Sequence, residues 1–411
     1  MKIQQVRALE ILDSRGTPTV QAEVRLSDGT CATAQAPSGA STGRHEAVEL
    51  RDGNPERHAG KGVLQAVRNI EAELGPAVLG LNPEDQAAVD ARLMATDGSP
   101  NKSCLGANAI LAVSCAVARA AAKALRIPLW RHLAGSRKAS LPVPMVNIIS
   151  GGLHAGRNLE FQDFLVRPKG YPDLASALEA VVAVHRTTGR LLAAQGCVLT
   201  GVADEGGWGP RLQSNEQAIQ VLHEAICQTR ASMEIVLDVA SSHFFEGGTY
   251  RLEGGELTAA GMCDLLEPWV AKYGVRSIED PLAEDDWDGW RLMTKRLGKQ
   301  VRLVGDDLFV TNLARLERGI HEGAANAVLV KMNQIGTLTE TFGVIDRARE
   351  AGFGAVISAR SGETEDSFLA DLAVASGAGE IKIGSVTRSE RLAKYNRLLE
   401  IEKWEFPTSE D

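Results

Sequence analysis

In the second half of the chain, six charged side chains each end, or lie close to the end of, a short β-branched run. The acidic ones, in "EIVLDVA", "VRSIEDP" and "VRLVGDD", are Asp238, Glu279 and Asp306. For any one of them a helix N-cap or a solvated turn is the ordinary alternative. Three carboxylates at equivalent places, without His or Cys partners, suit a hard cation such as Mg²⁺ better than zinc. The pattern predicts a magnesium site.

Two lysines continue the series, Lys331 in "AVLVKMN" and Lys382 in "EIKIGSV". An isolated lysine is usually a solvated surface amine. Beside a divalent metal in a desolvated cavity, however, both positive charge and burial would lower the pKa of Lys331. Lys331 is therefore a candidate general base for removing a proton next to a carboxylate, since a bound metal stabilises the dianion that results.

The run "GAVISARSG" ends in Arg360 and Ser361. A guanidinium, a hydroxyl and a flexible glycine backbone at the end of a strand suit a phosphate or a carboxylate. This stretch predicts an anion-binding position.

Two further stretches carry candidate groups. In "VADEGGWGP", Glu205 precedes a Gly-Gly turn and could act as a general acid for a leaving hydroxyl, although an ordinary acidic turn would look the same. The stretch "SGGLHAGRNLEFQDF" adds His154, Gln162 and Asp163. A lone histidine is more often structural than catalytic, so this stretch alone indicates little.

The spacing of the six charged residues predicts the elements that position them. Consecutive residues of the series lie 22 to 41 positions apart, which fits one strand and one helix each. Apolar strands that alternate with helices favour a parallel sheet. The regular spacing favours a closed βα barrel over an open doubly wound sheet, because barrel strands converge their carboxyl ends on one face. No G-x-G-x-x-G or Walker sequence supports a nucleotide-binding alternative.

The first part of the chain has a different pattern. Residues 1–60 predict strands and turns, with a hairpin at Asp28-Gly29, and "APSGASTG" (36–43) predicts a mobile loop. Helices are predicted over "HEAVELRDG" and over 105–125. A proline-punctuated linker is predicted around 127–142.

Composition narrows the class of protein. A chain of 411 residues predicts one large domain and a smaller one, and a net charge of −9 argues against nucleic-acid or anionic-membrane surfaces. The N-terminus has no apolar signal core, and no stretch is expected to reach membrane-spanning length. The six cysteines are scattered without a C-x-x-C pair, which predicts reduced thiols in a cytoplasmic protein.

Taken together, the motifs of this chain resemble those of the enolase family, from about residue 6 to residue 402. The matching stretches, in family order, are "EILDSRGTPTV", "PSGASTG", "GANAIL", "DEGG", "SIEDP", "GDDLFVTN", "KMNQIGTLTET", "RSGETED" and "RSERLAKYNRLLEIE". The resemblance implies a small N-terminal α+β domain (1–135, with mobile loop 36–43) on a C-terminal βα barrel (136–411). It implies Mg²⁺-dependent removal of water from 2-phosphoglycerate to give phosphoenolpyruvate, in a homodimer or a ring of dimers.

The resemblance also implies roles for individual side chains. The implied ligands of one Mg²⁺ are Asp238, Glu279 and Asp306. Ser41 is the implied ligand of a second Mg²⁺ that arrives with substrate. Those in catalysis are Lys331, which takes the C2 proton, and Glu205, which protonates the departing 3-hydroxyl. Those that bind substrate are His154, Gln162, Asp163, Arg360, Ser361 and Lys382, with Lys382 on the carboxylate and Arg360 and Ser361 on the phosphate.

Two positions depart from the family pattern. Ala359 replaces the histidine of S-H-R-S-G-E, and Asp163 replaces the glutamate of Q-E-F. Three hypotheses follow: an enolase with a variant site, a paralogue that dehydrates a bulkier analogue, and a non-catalytic binding protein. The precedent for the second is the enolase-like proteins of phosphonate and phosphinate antibiotic pathways, which make carboxyphosphonoenolpyruvate. The retained carboxylates and lysines argue against the third.

Overall fold

The computed structural model describes residues 1–40 and 43–406. Its strands in chain order are β1 (Ile3–Leu12), β2 (Pro18–Leu26), β3 (Cys31–Gln35), β4 (Val143–Ser150), β5 (Asp163–Pro168), β6 (Met233–Asp238), β7 (Phe245–Glu246), β8 (Thr249–Leu252), β9 (Gly255–Leu257), β10 (Val275–Glu279), β11 (Arg302–Gly305), β12 (Ala327–Val330), β13 (Gly354–Ser358) and β14 (Gly379–Gly384).

The helices in chain order are α1 (Leu64–Asn69), α2 (Gly75–Val78), α3 (Gln86–Asp97), α4 (Ala107–Leu125), α5 (Leu129–Ala134), α6 (Leu174–Ala194), α7 (Asn215–Thr229), α8 (Ala259–Tyr273), α9 (Trp287–Leu297), α10 (Leu313–Glu322), α11 (Met332–Ile335), α12 (Leu338–Glu350), α13 (Phe368–Ser376) and α14 (Ser389–Glu400).

The N-terminal region is built on an antiparallel sheet in the order β1-β2-β3. Alternate residues of β2, from Val20 to Leu26, are fully buried, as the period-two pattern requires. The predicted hairpin is confirmed: Gly29 adopts φ +88°, and Asp28 Oδ1 accepts a hydrogen bond from the backbone N–H of Thr30 at 2.9 Å.

Helix α4 packs against β2 and β3, which confirms the helix predicted over 105–125. Contrary to the expectation that no stretch reaches membrane-spanning length, α4 is long and apolar enough to do so, with a mean hydropathy of 1.4. Most of it, 78%, is buried inside the protein. Its apolar surface is therefore explained by packing against the sheet.

The C-terminal region is a closed barrel in the order β10-β11-β12-β13-β14-β4-β5-β6. The predicted barrel and its six strands are thus confirmed, but the expectation of a wholly parallel sheet was wrong, because β5 runs antiparallel to both β4 and β6. The connection from β4 to β5 holds only one short helical turn, Gly152–Ala155. A parallel crossover needs a longer connection.

Two local predictions were wrong. Residues 45–53, "HEAVELRDG", are not helical: the N–H groups of Ala47 and Val48 donate to the carbonyls of Gln334 and Asn101, both at 2.8 Å. Tertiary hydrogen bonds therefore replace the helical ones. The predicted linker around 127–142 contains helix α5, whose Trp130 and Leu133 are buried.

The barrel interior is a small apolar core of its own. Its residues are Met145, Leu165, Val236, Val304, Ala327, Leu329 and Val356. Along β12, Ala327 and Leu329 face this interior while Val328 and Val330 join the larger core outside the barrel. Packing of this interior holds the strand ends in register, and these ends carry the functional side chains.

We expect Leu329→Ala to lower the free energy of unfolding by about 2–5 kcal/mol, because it leaves a cavity among side chains that cannot collapse into it. The measurement is urea denaturation followed by circular dichroism. Leu292→Ala is the control, since Leu292 is 37% exposed whereas Leu329 is 1% exposed. Equal losses of stability in the two variants would contradict this account of the barrel interior.

Candidate active site

The six charged residues predicted at strand ends lie at or close to the carboxyl ends of six strands that are consecutive around the barrel, from β6 through β10 to β14. Lys382 reaches across the cavity, and its Nζ donates to Asp238 Oδ2 and Glu279 Oε2, both at 2.7 Å. Lys331 contacts Asp306 in the same way. The structure therefore brings the predicted carboxylates and both lysines into one buried cluster.

The carboxylate oxygens of this cluster are suited to bind a divalent cation. Asp238 Oδ1 is buried and accepts no hydrogen bond, while its Oδ2 accepts from Gln162 Nε2 at 3.1 Å. Gln334 Nε2 fixes Asp306 Oδ1 at 2.9 Å. Fixed carboxylate oxygens without nitrogen or sulfur ligands fit Mg²⁺ chemically.

The predicted trio of Asp238, Glu279 and Asp306 is not one of the groups of described residues whose ligand atoms converge closely enough to hold one ion. Among the described residues, the groups whose ligand atoms all lie within 4.8 Å of one another are His154 with Asp163 and Glu205, and Asp280 with Asp306 and Asp307. The two lysines lie among Asp238, Glu279 and Asp306 and contact them. Acidic clusters that could hold a metal are present, and the ligand set remains a prediction.

Burial and pairing set the protonation of this cluster. Burial, together with the neighbouring Asp238, raises the pKa of Glu279 well above its usual value. Burial opposes the charged form of Lys382, but Asp238 and Glu279 outweigh it and raise the pKa of Lys382. For Lys331 burial is likewise outweighed by Asp306, so its pKa is raised. The sequence predicted a lowered pKa beside a metal; in contact with Asp306 the direction is the opposite.

On the other side of the cavity, His154 lies between two carboxylates. Its Nδ1 is 3.0 Å from Asp163 Oδ2, and its Nε2 is 3.8 Å from Glu205 Oε1. Asp163 begins β5 and is held by Asn147 and by the Ser150 hydroxyl, which donates to its Oδ1 at 3.1 Å. The shorter carboxylate at 163 thus remains firmly placed.

This arrangement places the proton on the histidine. Burial disfavours the imidazolium, but Asp163 and Glu205 outweigh it and raise the pKa of His154 to about 9. Burial raises the pKa of Glu205, but His154 and Arg391 outweigh it, so the pKa is lowered. A general acid needs a proton, and at neutral pH His154 carries the one nearest to Glu205.

The predicted anion-binding residues are held by the N-terminal region. Arg360 Nη1 donates to Glu46 Oε2 and to Asn333 Oδ1, both at 3.0 Å. The Ser361 hydroxyl accepts from the backbone N–H of Ala40 at 2.7 Å. Ser41, the predicted ligand of a second Mg²⁺, lies outside the described residues.

These groups surround a small cavity of about 20 Å³, which has room for about one water molecule. Ala359 is 6% exposed and lines it with His154, Glu205, Lys331 and Lys382. Substrate entry therefore requires the ion pairs around the cavity to exchange partners.

Several residues of the site were missed by sequence reasoning. Asp280 adopts φ +40°, and its carboxylate accepts the N–H groups of Asp306 at 2.9 Å and Asp307 at 2.8 Å. The acidic pairs in "SIEDP" and "GDD" are the signal that could have indicated it. Glu46 has no local signal, because its contact with Arg360 joins distant parts of the chain.

Fold and site together define the class of protein. A closed βα barrel with carboxylates and lysines clustered at the carboxyl ends of its strands is the architecture of a barrel enzyme. The chain matches the family model described as the enolase N-terminal domain over residues 3–133, and the enolase C-terminal TIM barrel domain over residues 138–406.

The chain is also similar to Enolase 1 of Methylococcus capsulatus, with 53% identity over 410 residues that cover 98% of this chain and 97% of that protein. It belongs to the enolase family, which confirms the resemblance, and it is a carbon–oxygen lyase of the phosphopyruvate hydratase class. Membership of this class of enzymes favours a catalytic function over the non-catalytic alternative.

We expect Asp163→Asn to lower the pKa of His154 from about 9 toward its ordinary value, because a neutral amide no longer stabilises the imidazolium. In the wild type, the stability due to this raised pKa is fully present below about pH 6.5 and lost as pH rises through about 9. The variant should therefore lose less stability between these pH values.

The measurements are NMR titration of ¹⁵N-labelled histidine in metal-free buffer and urea denaturation at both pH values. Asp288→Asn is the matched control, since the side chain of Asp288 is 88% exposed. An unchanged His154 titration in Asp163→Asn would show that Asp163 does not hold the proton.

Proposed function

We propose that this protein catalyses the Mg²⁺-dependent dehydration of 2-phosphoglycerate to phosphoenolpyruvate. One observation carries the proposal: Lys331 and Lys382 share a buried cluster with Asp238, Glu279 and Asp306 at the carboxyl ends of the barrel strands. Proton removal beside a carboxylate needs a base and positive charge at the same place. Both are supplied by groups of this cluster.

The carboxylates would hold the metal. Asp238, Glu279 and Asp306 are the proposed ligands of one Mg²⁺, and Ser41 is the proposed ligand of a second. When bound, Mg²⁺ supplies positive charge that stabilises the negative charge developing on the substrate carboxylate.

Lys331 is the proposed base for the C2 proton. Its ammonium is now stabilised by Asp306, which keeps the pKa raised. It becomes a base when Asp306 no longer serves as its counter-ion, because burial then favours the neutral amine. Lys382, released from the same carboxylates, would hold the substrate carboxylate.

Glu205 and His154 are the proposed groups on the leaving-hydroxyl side. The proton resides on His154, and Glu205 Oε1 lies 3.8 Å from its Nε2, so the imidazolium would pass its proton to Glu205 through one bridging water or after the two groups move within hydrogen-bond distance. Asp163 keeps that imidazolium in place. Glu205 then donates to the departing 3-hydroxyl.

The phosphate is assigned to Arg360 and Ser361. Arg360 would exchange Glu46 for the phosphate, and Ser361 lies beside residues 36–40 of the N-terminal region, which contact it through Ala40. Gln162 would complete the polar lining. We propose the domain limits 1–135 and 136–411, a homodimer or ring of dimers, and a cytoplasmic location for the assembled enzyme.

With Mg²⁺ and 2-phosphoglycerate, the wild type is expected to form phosphoenolpyruvate, followed by its ultraviolet absorbance. Lys331→Ala should lower kcat by about 10²- to 10⁴-fold, the range for loss of a general base. Lys295→Ala, at an exposed lysine of α9, should retain the wild-type rate. No product from the wild type would refute the substrate, and an unchanged rate in Lys331→Ala would refute the base.

A second candidate substrate is a bulkier analogue of 2-phosphoglycerate, as in carboxyphosphonoenolpyruvate synthesis. One observation favours it: Ala359, where the family resemblance places a histidine, lines the cavity beside Ser358 and Arg360. A methyl group there takes up less room than an imidazole next to the proposed phosphate position. An extra carboxylate on phosphorus could occupy the room that a histidine side chain would otherwise fill.

If the second candidate is correct, the double variant Ala359→His with Asp163→Glu should turn over 2-phosphoglycerate faster than the wild type and the carboxylated analogue more slowly. The physical reason is that the imidazole fills the space and restores a hydrogen-bonding group. The measurement is C2-proton exchange with each acid, with the two single variants as controls. No gain on 2-phosphoglycerate would count against the analogue.

A further inference from the structure

A second polar cleft opens at the opposite end of the barrel from the site described above. Its volume is about 450 Å³. The lining residues come from the amino ends of parallel strands, such as Arg276 and Ser277 of β10 and Arg302 of β11, and from the end of the antiparallel β5, which supplies Arg167. It is therefore separated from the candidate active site by the apolar interior of the barrel.

The cleft carries more positive than negative charge. Its cations are Arg167, Arg276, Lys299 and Arg302, and its carboxylates are Glu234 and Glu380. This excess stands out because the chain as a whole has a net charge of −9.

The two carboxylates are already paired. Arg167 donates to Glu234 at 2.9 Å and to Glu380 at 2.7 Å, and Arg302 also contacts Glu380. Arg276 and Lys299 are exposed, and among the described residues neither has a carboxylate within ion-pair distance. Two cations at the cleft are thus available to a ligand.

A buried hydroxyl points to a ligand independently of the charges. Ser277 is 3% exposed and lines the cleft, yet its Oγ has no hydrogen-bond partner. Leaving a buried hydroxyl without a partner is unfavourable. An oxygen-rich anion in the cleft would accept the hydrogen bond that Ser277 does not make.

The walls of the cleft are held in place. Asn326 donates to the carbonyls of Gly298 and Val301 at 3.0 and 3.1 Å, which fixes the loop that carries Lys299. Gly354 allows Arg302 to lie close by, since a Cβ there would be 3.2 Å from its Nε. Burial and the positive charge of the neighbouring Arg167 lower the pKa of Arg302. An anion bound in the cleft would reduce the repulsion between these two arginines.

We propose that this cleft binds a small molecule that carries a phosphate group, with Arg276 and Lys299 on the phosphate charge and the Ser277 hydroxyl as a hydrogen-bond donor. Arginine and lysine near one hydroxyl form a typical phosphate environment. The volume lies in the range of small-molecule sites. The proposal goes beyond the proposed function and does not depend on it.

Isothermal titration calorimetry with inorganic phosphate, diphosphate and ribose 5-phosphate, at constant ionic strength, tests the proposal. In the variant Arg360→Ala, which removes the side chain proposed to bind phosphate in the candidate active site, one binding event should remain. Adding Arg276→Ala and Lys299→Ala to this variant should lower the affinity of the remaining binding event by about tenfold or more, as expected for losing hydrogen bonds to charged groups. The probe that binds with the highest affinity shows whether the cleft prefers free phosphate or a phosphorylated molecule.

The matched control is Lys295→Ala with Lys403→Ala, which removes two exposed lysines elsewhere and should leave the affinity unchanged. Ser277→Ala should weaken binding without loss of thermal stability, because its hydroxyl has no partner in the folded protein. Equal weakening in the two double variants, or no binding event in Arg360→Ala, would overturn the proposal. Formation of phosphoenolpyruvate by the Arg276→Ala, Lys299→Ala variant is expected to be unchanged.

Discussion

Carboxylates buried at one end of the barrel need positive partners, and the arrangement of the site follows from that need. Asp238 and Glu279 are almost completely removed from water, where an unpaired charge would be very costly. Lys382 donates a hydrogen bond to each of them from the far side of the cavity, and burial beside Asp238 raises the pKa of Glu279 well above its usual value. Removing one partner of a buried pair costs about 3–5 kcal/mol, so these contacts hold the strand ends together. A carboxylate that binds an ammonium can also bind a metal cation, which makes the same cluster suitable for catalysis.

The N-terminal region completes this balance of charge. Arg360 is buried, and Glu46 supplies its carboxylate from the segment that follows the 36–43 loop. Ala40 contacts Ser361 from within that loop, and Ser38 forms a β-bridge with Gly362. A ligand that takes over Arg360 must displace Glu46. Binding at the proposed phosphate position would thereby be coupled to the segments on both sides of the loop.

How far the sequence predicts this protein depends on the range of the interactions involved. The six strands from β6 to β14 that carry the charged residues are predictable, because each is a short apolar run close to a polar side chain. Strand β5 was not predicted, and its direction follows from the short connection to β4 rather than from its residues. The segment "HEAVELRDG" has a helical pattern, yet its backbone hydrogen bonds go to Gln334 and Asn101, far away in sequence.

In the candidate site, too, some features are predictable from the local sequence and others depend on contacts between distant residues. Asp238, Glu279, Asp306 and the two lysines come together because barrel geometry brings the strand ends together, and that geometry is predictable from spacing. Protonation is not predictable in this way. The pKa of Lys331 depends on contact with Asp306, and that of Glu205 depends on the distance to His154. Such distances are fixed by packing across the whole barrel.

The two departures from the family pattern affect one side of the cavity only. Asp163 holds His154, and His154 lines the cavity together with Ala359 and Glu205. The cluster formed by the proposed metal-binding carboxylates and the two lysines contains neither altered position. The group proposed to remove the C2 proton is therefore distinct from those proposed to face the phosphate and the leaving hydroxyl, although all of them line the same cavity. A change of substituent on the substrate can be accommodated on the altered side while the proposed base and the proposed metal ligands stay in place.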